Sequence, residues 1–146
     1  MLQAWVDGGW LRKHKHTAKE ISRLLEMADR DIAEADSRSH DPDWKFNIAY
    51  TAILSLALAV LAAEGYRTGH ESHHYYVLQS LEYTIKLDED LVYLLDKFRT
   101  RWNRVTYEQS GWLQTRKRPR LLIIARELRE KVITWLSAGH PELLNE

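Results

Sequence analysis

Residues Trp44 to Glu64 read WKFNIAYTAILSLALAVLAAE, and this stretch decides the fold. It holds the longest uncharged run in the chain, and its large apolar residues alternate with alanine and serine. A helix of this composition is apolar around most of its circumference and needs neighbours on several sides. A transmembrane helix is the alternative, but the run falls about two residues short of a span of about 20 and carries amide and hydroxyl side chains. We therefore predict a buried central helix and no membrane partner.

Both ends of this central helix carry signals that helix termini prefer. Asp41 can cap the first turn, and Pro42 follows at the first helical position, where its missing N–H costs nothing. Gly65 stands just past the last apolar residues and can take the left-handed conformation that ends many helices. The helix is therefore predicted to begin at Pro42 and to stop at Gly65.

Length and composition limit the class of protein. The chain has 146 residues, which suits one domain, and its 21 basic and 21 acidic residues cancel. Without net charge there is no overall attraction to nucleic acid or membrane, so any such binding needs a local patch. The lack of cysteine excludes disulfides and thiolate chemistry, and the first 17 residues do not contain the apolar run of a signal peptide. We expect a cytoplasmic protein.

Residues 1–16 form an N-terminal arm that precedes the helical pattern. The arm contains Trp5 and Trp10 around a glycine pair, followed by the basic run RKHKH at residues 12–16. We predict that the arm docks by its tryptophans and that the basic run is solvated. Residues 17–138 are predicted to form a helical bundle, and residues 139–146 a C-terminal tail.

Apolar residues recur at helical spacing in four further segments, which start at Thr17, Ser72, Asp88 and about Arg118. In the first segment, Thr17 and Glu20 have the spacing of a capping box, in which each side chain bonds the backbone N–H of the other residue. Residues 66–71 are predicted to be a loop, and the third helix after it is predicted to reach Ile85. Five helices with short connections favour an all-α, up-and-down bundle of four to five helices.

The fourth helix has polar faces beside its apolar stripe. At about 100° per residue, one face carries Asp96, Arg99, Asn103 and Tyr107. A more outward face carries Arg101, Arg104 and Glu108. These faces are either a solvated helix surface, with intrahelical pairs that contribute a few tenths of a kcal/mol each, or a binding site.

The segment FRTRWNRVTYE, at residues 98–108, resembles the signature segment of HEPN domains, which are small helical bundles of prokaryotic toxin–antitoxin and defence systems. In that family an Arg, usually followed by Asn, precedes a His by four to six residues. Its catalytic members are metal-independent RNases that place two copies of the motif across a dimer cleft. The segments at residues 29–32, 43–46 and 71–75 resemble the stand-alone subgroup in which Tyr stands in place of the His. The resemblance covers about residues 17–136.

The resemblance implies roles for residues of the fourth helix. In a variant RNase the catalytic set would be Arg101, Asn103 and Tyr107. In a binding protein the contacts would come from Arg99, Asn103, Arg104 and Tyr107. The chain departs from the family pattern, because Trp102 stands where an Arg usually precedes the Asn. An unperturbed Tyr has a pKa of about 10 and is ionised in about one molecule per thousand at pH 7, so it is a poor general base.

The basic run RKRPR, at residues 116–120, is a second candidate for binding. Positive charge at the start of a helix opposes the helix dipole, so the run does not stabilise the helix that it begins. This favours a role for the run in binding. Arg116 and Arg118 could join Arg101 and Arg104 in an RNA-facing patch. A solvated run of charges is the alternative.

A third candidate is the histidine cluster of His70, His73 and His74. His70 and His74 could share a metal ion if the third helix began early enough, but a third ligand is not assured. We predict no metal site and no cofactor, and we expect His74 to be a partly buried helix residue.

Three functional hypotheses follow. The leading one is an HEPN-like bacterial protein that binds RNA or nucleotide through the fourth helix with little or no catalysis. The alternatives are an active metal-independent RNase toxin and a module that contacts only protein. The resemblance also implies a homodimer and, as a partner, a nucleotidyltransferase-type antitoxin.

Overall fold

The computed structural model describes the backbone of residues 1–36, 42–68, 73–107 and 117–144, and the side chains of residues 1–36, 44–68, 74–100 and 121–144. Its elements follow in the order α1 (Leu2–Asp7), β1 (Leu11–Lys13), α2 (Ala18–Ala35), α3 (Pro42–Ala63), β2 (Tyr66–Thr68), α4 (His73–Ser80), α5 (Glu89–Tyr107), α6 (Lys117–Gly139) and a short 3-10 helix (Pro141–Leu143). Helices dominate, which confirms the predicted all-α bundle. The five helices expected from the sequence are α2 to α6.

The central helix α3 supplies much of the core. Buried residues occur around most of its circumference, and the largest are Phe46, Tyr50, Ile53, Leu56 and Leu61. Helices α2 and α6 make its most extensive contacts, and α4 and α5 also pack against it. A helix that is apolar on so many sides needs this enclosure, as the sequence indicated.

The same helix is long and apolar enough to cross a membrane, judged by length and composition over Trp44–Ala63. In the folded chain 72% of that window is buried inside the protein. Burial of this kind is what the core helix of a soluble protein shows, and it agrees with the predicted central helix.

Several helix ends lie where the sequence placed them. Gly65 follows α3 with a φ of 93°, and its N–H donates to the Ala62 carbonyl at 2.9 Å. Thr17 caps α2, because its Oγ1 accepts the backbone N–H of Glu20 at 3.2 Å. Asp88 caps α5 through the Asp90 N–H, also at 3.2 Å. Pro42 begins α3 as predicted, whereas Asp41 lies outside the described residues.

A small sheet joins the arm to the segment after α3, and the prediction of a loop at residues 66–71 is wrong for its first part. Strands β1 and β2 pair antiparallel, with Leu11 opposite Thr68 and Lys13 opposite Tyr66. Leu11 is 1% exposed, so the sheet also contributes to the core. Strands of three residues are too short to show the alternation by which strands are recognised in a sequence.

The arm docks by its tryptophans, as predicted, and the structure places them on α4 and the turn after it. Trp5 meets Tyr76 and Tyr83 edge-on, with ring centroids 5.2 Å and 5.6 Å apart. Trp10 stacks on Tyr76 at 4.9 Å. The expectation that the whole basic run is solvated is wrong, because His14 and His16 are half-buried.

Helix α4 ends at Ser80, earlier than the sequence predicted, and Ile85 lies beyond it in a series of turns. The N–H groups of Tyr83 and Thr84 both donate to the Ser80 carbonyl at 3.0 Å. The Ser80 hydroxyl donates to the Val77 carbonyl at 2.7 Å, and the Thr84 hydroxyl donates to the Ser80 carbonyl at 3.0 Å. Hydroxyl groups that bond nearby carbonyls compete with helical pairing, which accounts for the early end.

Candidate functional site

Helix α5 positions the candidate site against the core. Leu95 and Phe98 are buried, and the Phe98 ring packs edge-on against Phe46 of α3, with centroids 5.9 Å apart. Because the buried stripe is held in this way, Asp96 and Arg99 lie at its border and are half-buried. Their spacing of three residues places both side chains on one side of the helix.

Arg99 is held by two neighbours. Its Nε donates to Asp96 Oδ1 at 2.7 Å, and the two side chains are 26% and 25% exposed. Its guanidinium carbon also lies 5.6 Å from the centroid of the Tyr75 ring, within the range of a cation–π contact. These contacts orient the guanidinium, which carries four further N–H donors besides the one that Asp96 accepts.

Tyr50 and His74 complete the group, which we call the Arg99 cluster and which comprises Tyr50, His74, Tyr75, Asp96 and Arg99. Tyr50 is 0% exposed, and its ring centroid lies 6.1 Å from that of His74, which is half-buried in α4 as predicted. Burial raises the pKa of Tyr50; Arg99 opposes this shift and Asp96 adds to it. The phenol is therefore protonated at neutral pH and does not act as a base.

Of the residues to which the resemblance gives roles, Arg99 is the one whose side chain is described. Helix α5 continues through Tyr107, so positions 99, 103 and 107 follow one another along one side of a continuous helix. The side chains at the remaining predicted positions on this helix lie outside the described residues: Arg101, Asn103, Arg104 and Tyr107.

The two other clusters from the sequence are described only in part. Arg116 lies outside the described residues, and Arg118 is in the first turn of α6 with its side chain outside them. His70 also lies outside, and His73 begins α4 with an undescribed side chain. The expectation that these histidines hold no metal therefore stays a prediction.

Sequence reasoning missed the contribution of Tyr50 and Tyr75 to the Arg99 cluster. One available signal was Tyr50 itself, the one tyrosine in the uncharged run of the central helix. The contact between Tyr75 and Arg99 joins α4 to α5 and leaves no mark in local spacing.

A second polar group, at the end of the arm, was also missed. His14, His16 and Glu20 each place one nitrogen or carboxylate oxygen within 4.8 Å of the other two. Burial lowers the pKa of His16, and His14 and Arg67 act in the same direction, whereas Glu20 and the His14 backbone act to raise it. The signal in the sequence was the His-x-His spacing immediately before a helix cap.

No protein-family model, curated protein or solved structure matches the chain.

Proposed function

We propose that this chain is an HEPN-like bacterial protein of a toxin–antitoxin or defence system that binds RNA or nucleotide through the polar side of α5, with little or no catalysis. The proposal places it in the cytoplasm. The observation that carries it is the oriented guanidinium of Arg99, whose half-buried side chain lies on the helix that contains the Arg/Asn/Tyr segment.

The Arg99 cluster has the chemistry of a nucleotide contact. A guanidinium held by a carboxylate on one side can present its other N–H groups to a phosphate in a bidentate arrangement. Tyr75 is 37% exposed, so its ring is accessible beside that guanidinium. Aromatic faces next to cationic groups are the usual platform on which proteins stack single-stranded bases.

The same cluster favours binding over cleavage. A general base works best with a pKa near the ambient pH, and the pKa of Tyr50 is shifted away from it by burial. The Asp96 carboxylate already accepts a hydrogen bond from Arg99. Asp96 is therefore engaged in orienting the guanidinium of Arg99. His74 is the member whose residue type suits acid–base chemistry, so the RNase alternative, with its set of Arg101, Asn103 and Tyr107, is also tested at His74.

Two assays with purified protein test the proposal. The chain should bind a single-stranded RNA or a nucleotide in a saturable manner at physiological salt, and it should cleave RNA no faster than a Tyr107→Phe variant. RNA cleavage that is lost in His74→Gln or Tyr107→Phe, with binding retained, would support the RNase alternative. The absence of any saturable binding would contradict the proposal and favour a module that contacts only protein.

The proposal includes a homodimer in which two copies of α5 line a shared cleft. Light scattering at tens of micromolar protein should give the mass of a dimer. A monomer at this concentration would contradict the shared cleft, while binding by one Arg99 cluster would still be measurable. A nucleotidyltransferase-type antitoxin is the protein partner that we propose, and co-expression followed by purification of a stoichiometric complex would test it.

A further inference from the structure

The segment between β1 and α2 brings two imidazoles to one side of the chain. Exposure alternates along it: Lys13 and Lys15 are exposed, whereas His14 and His16 are half-buried. This alternation is that of extended backbone, in which residues two apart point to the same side. The rings of His14 and His16 meet edge to face, with centroids 4.2 Å apart. The basic side chains beside them point away.

The third member of the group comes from the first turn of α2. Because Thr17 caps the helix, Glu20 is its third residue, and a side chain at this position reaches back over the segment that precedes the cap. Its Oε2 lies 3.8 Å from His14 Nε2 and 3.6 Å from His16 Nε2. The carboxylate thus faces both imidazoles from a different element of the fold.

The fold anchors the backbone of His14 and buries one nitrogen of His16. The backbone N–H of His14 donates to the Gly65 carbonyl at 2.8 Å, which anchors the segment to the loop before β2. The Nδ1 atom of His16 is buried, and its Nε2 faces Glu20 at 3.6 Å. A metal ion between the three side chains would take the lone pair of Nε2, with the proton of the neutral ring on Nδ1.

We propose that His14, His16 and Glu20 bind a divalent transition-metal ion, with Zn²⁺ as the best match. Two imidazoles and one carboxylate form a three-ligand set that Zn²⁺ accepts in tetrahedral geometry, with water or another group at the fourth position. Tetrahedral bonds of about 2.1 Å place neighbouring ligand atoms about 3.4 Å apart. The separations of 3.6 Å and 3.8 Å between Glu20 and the two imidazoles need only a small contraction, and the ligand nitrogens of His14 and His16 lie within 4.8 Å of each other.

The ion would tie the arm to the bundle. One ligand pair belongs to the segment that continues β1, and the third ligand belongs to α2, so binding joins the small sheet to the helix that follows it. Exposed Arg67 lies close enough to act on His16, and its charge, together with Lys13, Lys15 and Lys19, disfavours a cation. We therefore expect saturable binding in the micromolar range rather than a tighter site. This site is independent of the Arg99 cluster.

Calorimetric titration of the full-length, tag-free chain with zinc chloride tests the site. We expect one ion per chain and a loss of affinity of at least about 100-fold in each of His14→Gln, His16→Gln and Glu20→Gln, since even residues that only orient a ligand are worth about 10- to 100-fold. The second readout is the absorption spectrum of the Co²⁺-loaded protein. It should show the bands of Co²⁺ with a low coordination number, and the same variants should lose them.

Two further variants separate metal ligation from general effects. His140→Gln removes a histidine that lies 4.0 Å from Glu64 and 3.8 Å from Glu142, outside the three-ligand group, and it should bind Zn²⁺ as the wild type does. Thr17→Ala removes no ligand, but it removes the cap that carries Glu20 over the histidines, so it should bind Zn²⁺ more weakly than the wild type and more tightly than Glu20→Gln. Zinc binding that persists unchanged in His16→Gln, or a wild-type chain that shows no saturable binding below millimolar zinc, would overturn the proposal.

Discussion

Helices α3 and α5 have similar lengths, 22 and 19 residues, and serve different purposes. The first is apolar around most of its circumference and is enclosed by its neighbours, so its sequence is used for packing. The second buries one stripe and keeps a polar border on which Asp96 and Arg99 are half-buried. Helix α3 therefore stabilises the fold, whereas α5 also keeps polar side chains within reach of a ligand.

Truncation of an aromatic ring in each helix should give the largest difference. Phe46 of α3 is 0% exposed, so Phe46→Ala removes a fully packed ring and should lower the free energy of unfolding by about 3–5 kcal/mol. Tyr93 of α5 is 63% exposed, and Tyr93→Ala should cost about 1 kcal/mol or less. Urea unfolding followed by circular dichroism measures both. Equal losses in the two variants would show that α3 is not the centre of the core.

Tyr50 links the two regions, and its ionisation should make stability depend on alkaline pH. Burial raises its pKa in the folded state above the ordinary value of 10.0. The resulting stabilisation is complete below pH 10 and is lost as the pH rises further, because the unfolded chain releases the phenolic proton first. The wild type should lose up to about 1.4 kcal/mol per pH unit above pH 10 relative to Tyr50→Phe. Parallel stability curves for the two proteins would contradict this account.

The ion pair of the Arg99 cluster should show the smallest effect. A double-mutant cycle on Asp96→Ala and Arg99→Ala should give a coupling free energy of about 1 kcal/mol, at the upper end for accessible pairs, because both side chains are half-buried. The matched cycle on Asp36 and Arg126, which are 63% and 48% exposed, should give about 0.3 kcal/mol. A larger coupling for the exposed pair would remove the argument that Arg99 is specifically oriented.

Much of the bundle could be predicted because its signals are local. The uncharged run of α3, the cap residues Thr17 and Asp88, and Gly65 act within one turn of the helix that they define. The polar border of α5 was likewise visible, since residues three apart on a helix are neighbours. These features depend on the spacing of nearby residues.

What could not be predicted depends on contacts between distant parts of the chain. Strands β1 and β2 pair with each other although α2 and α3 lie between them in the sequence. No pattern of neighbouring residues predicts this pairing. The contact of Tyr75 with Arg99 brings together two helices. Glu20 reaches His14 and His16 only because Thr17 caps α2, and the sequence alone assigned Glu20 to the cap and the histidines to a solvated run.

The central claim, that the polar side of α5 binds RNA or nucleotide, is tested most directly by one comparison of arginines. Fluorescence anisotropy with a labelled single-stranded RNA, at constant salt, should show that Arg99→Ala weakens binding by roughly 1–3 kcal/mol, the contribution of a charge-assisted hydrogen bond. Arg126→Ala removes an equal charge from α6, where Arg126 pairs with Asp36 at 3.0 Å, and should leave the affinity within about twofold of wild type. Equal losses in the two variants would mean that RNA is held by general surface charge, and would contradict a site at Arg99.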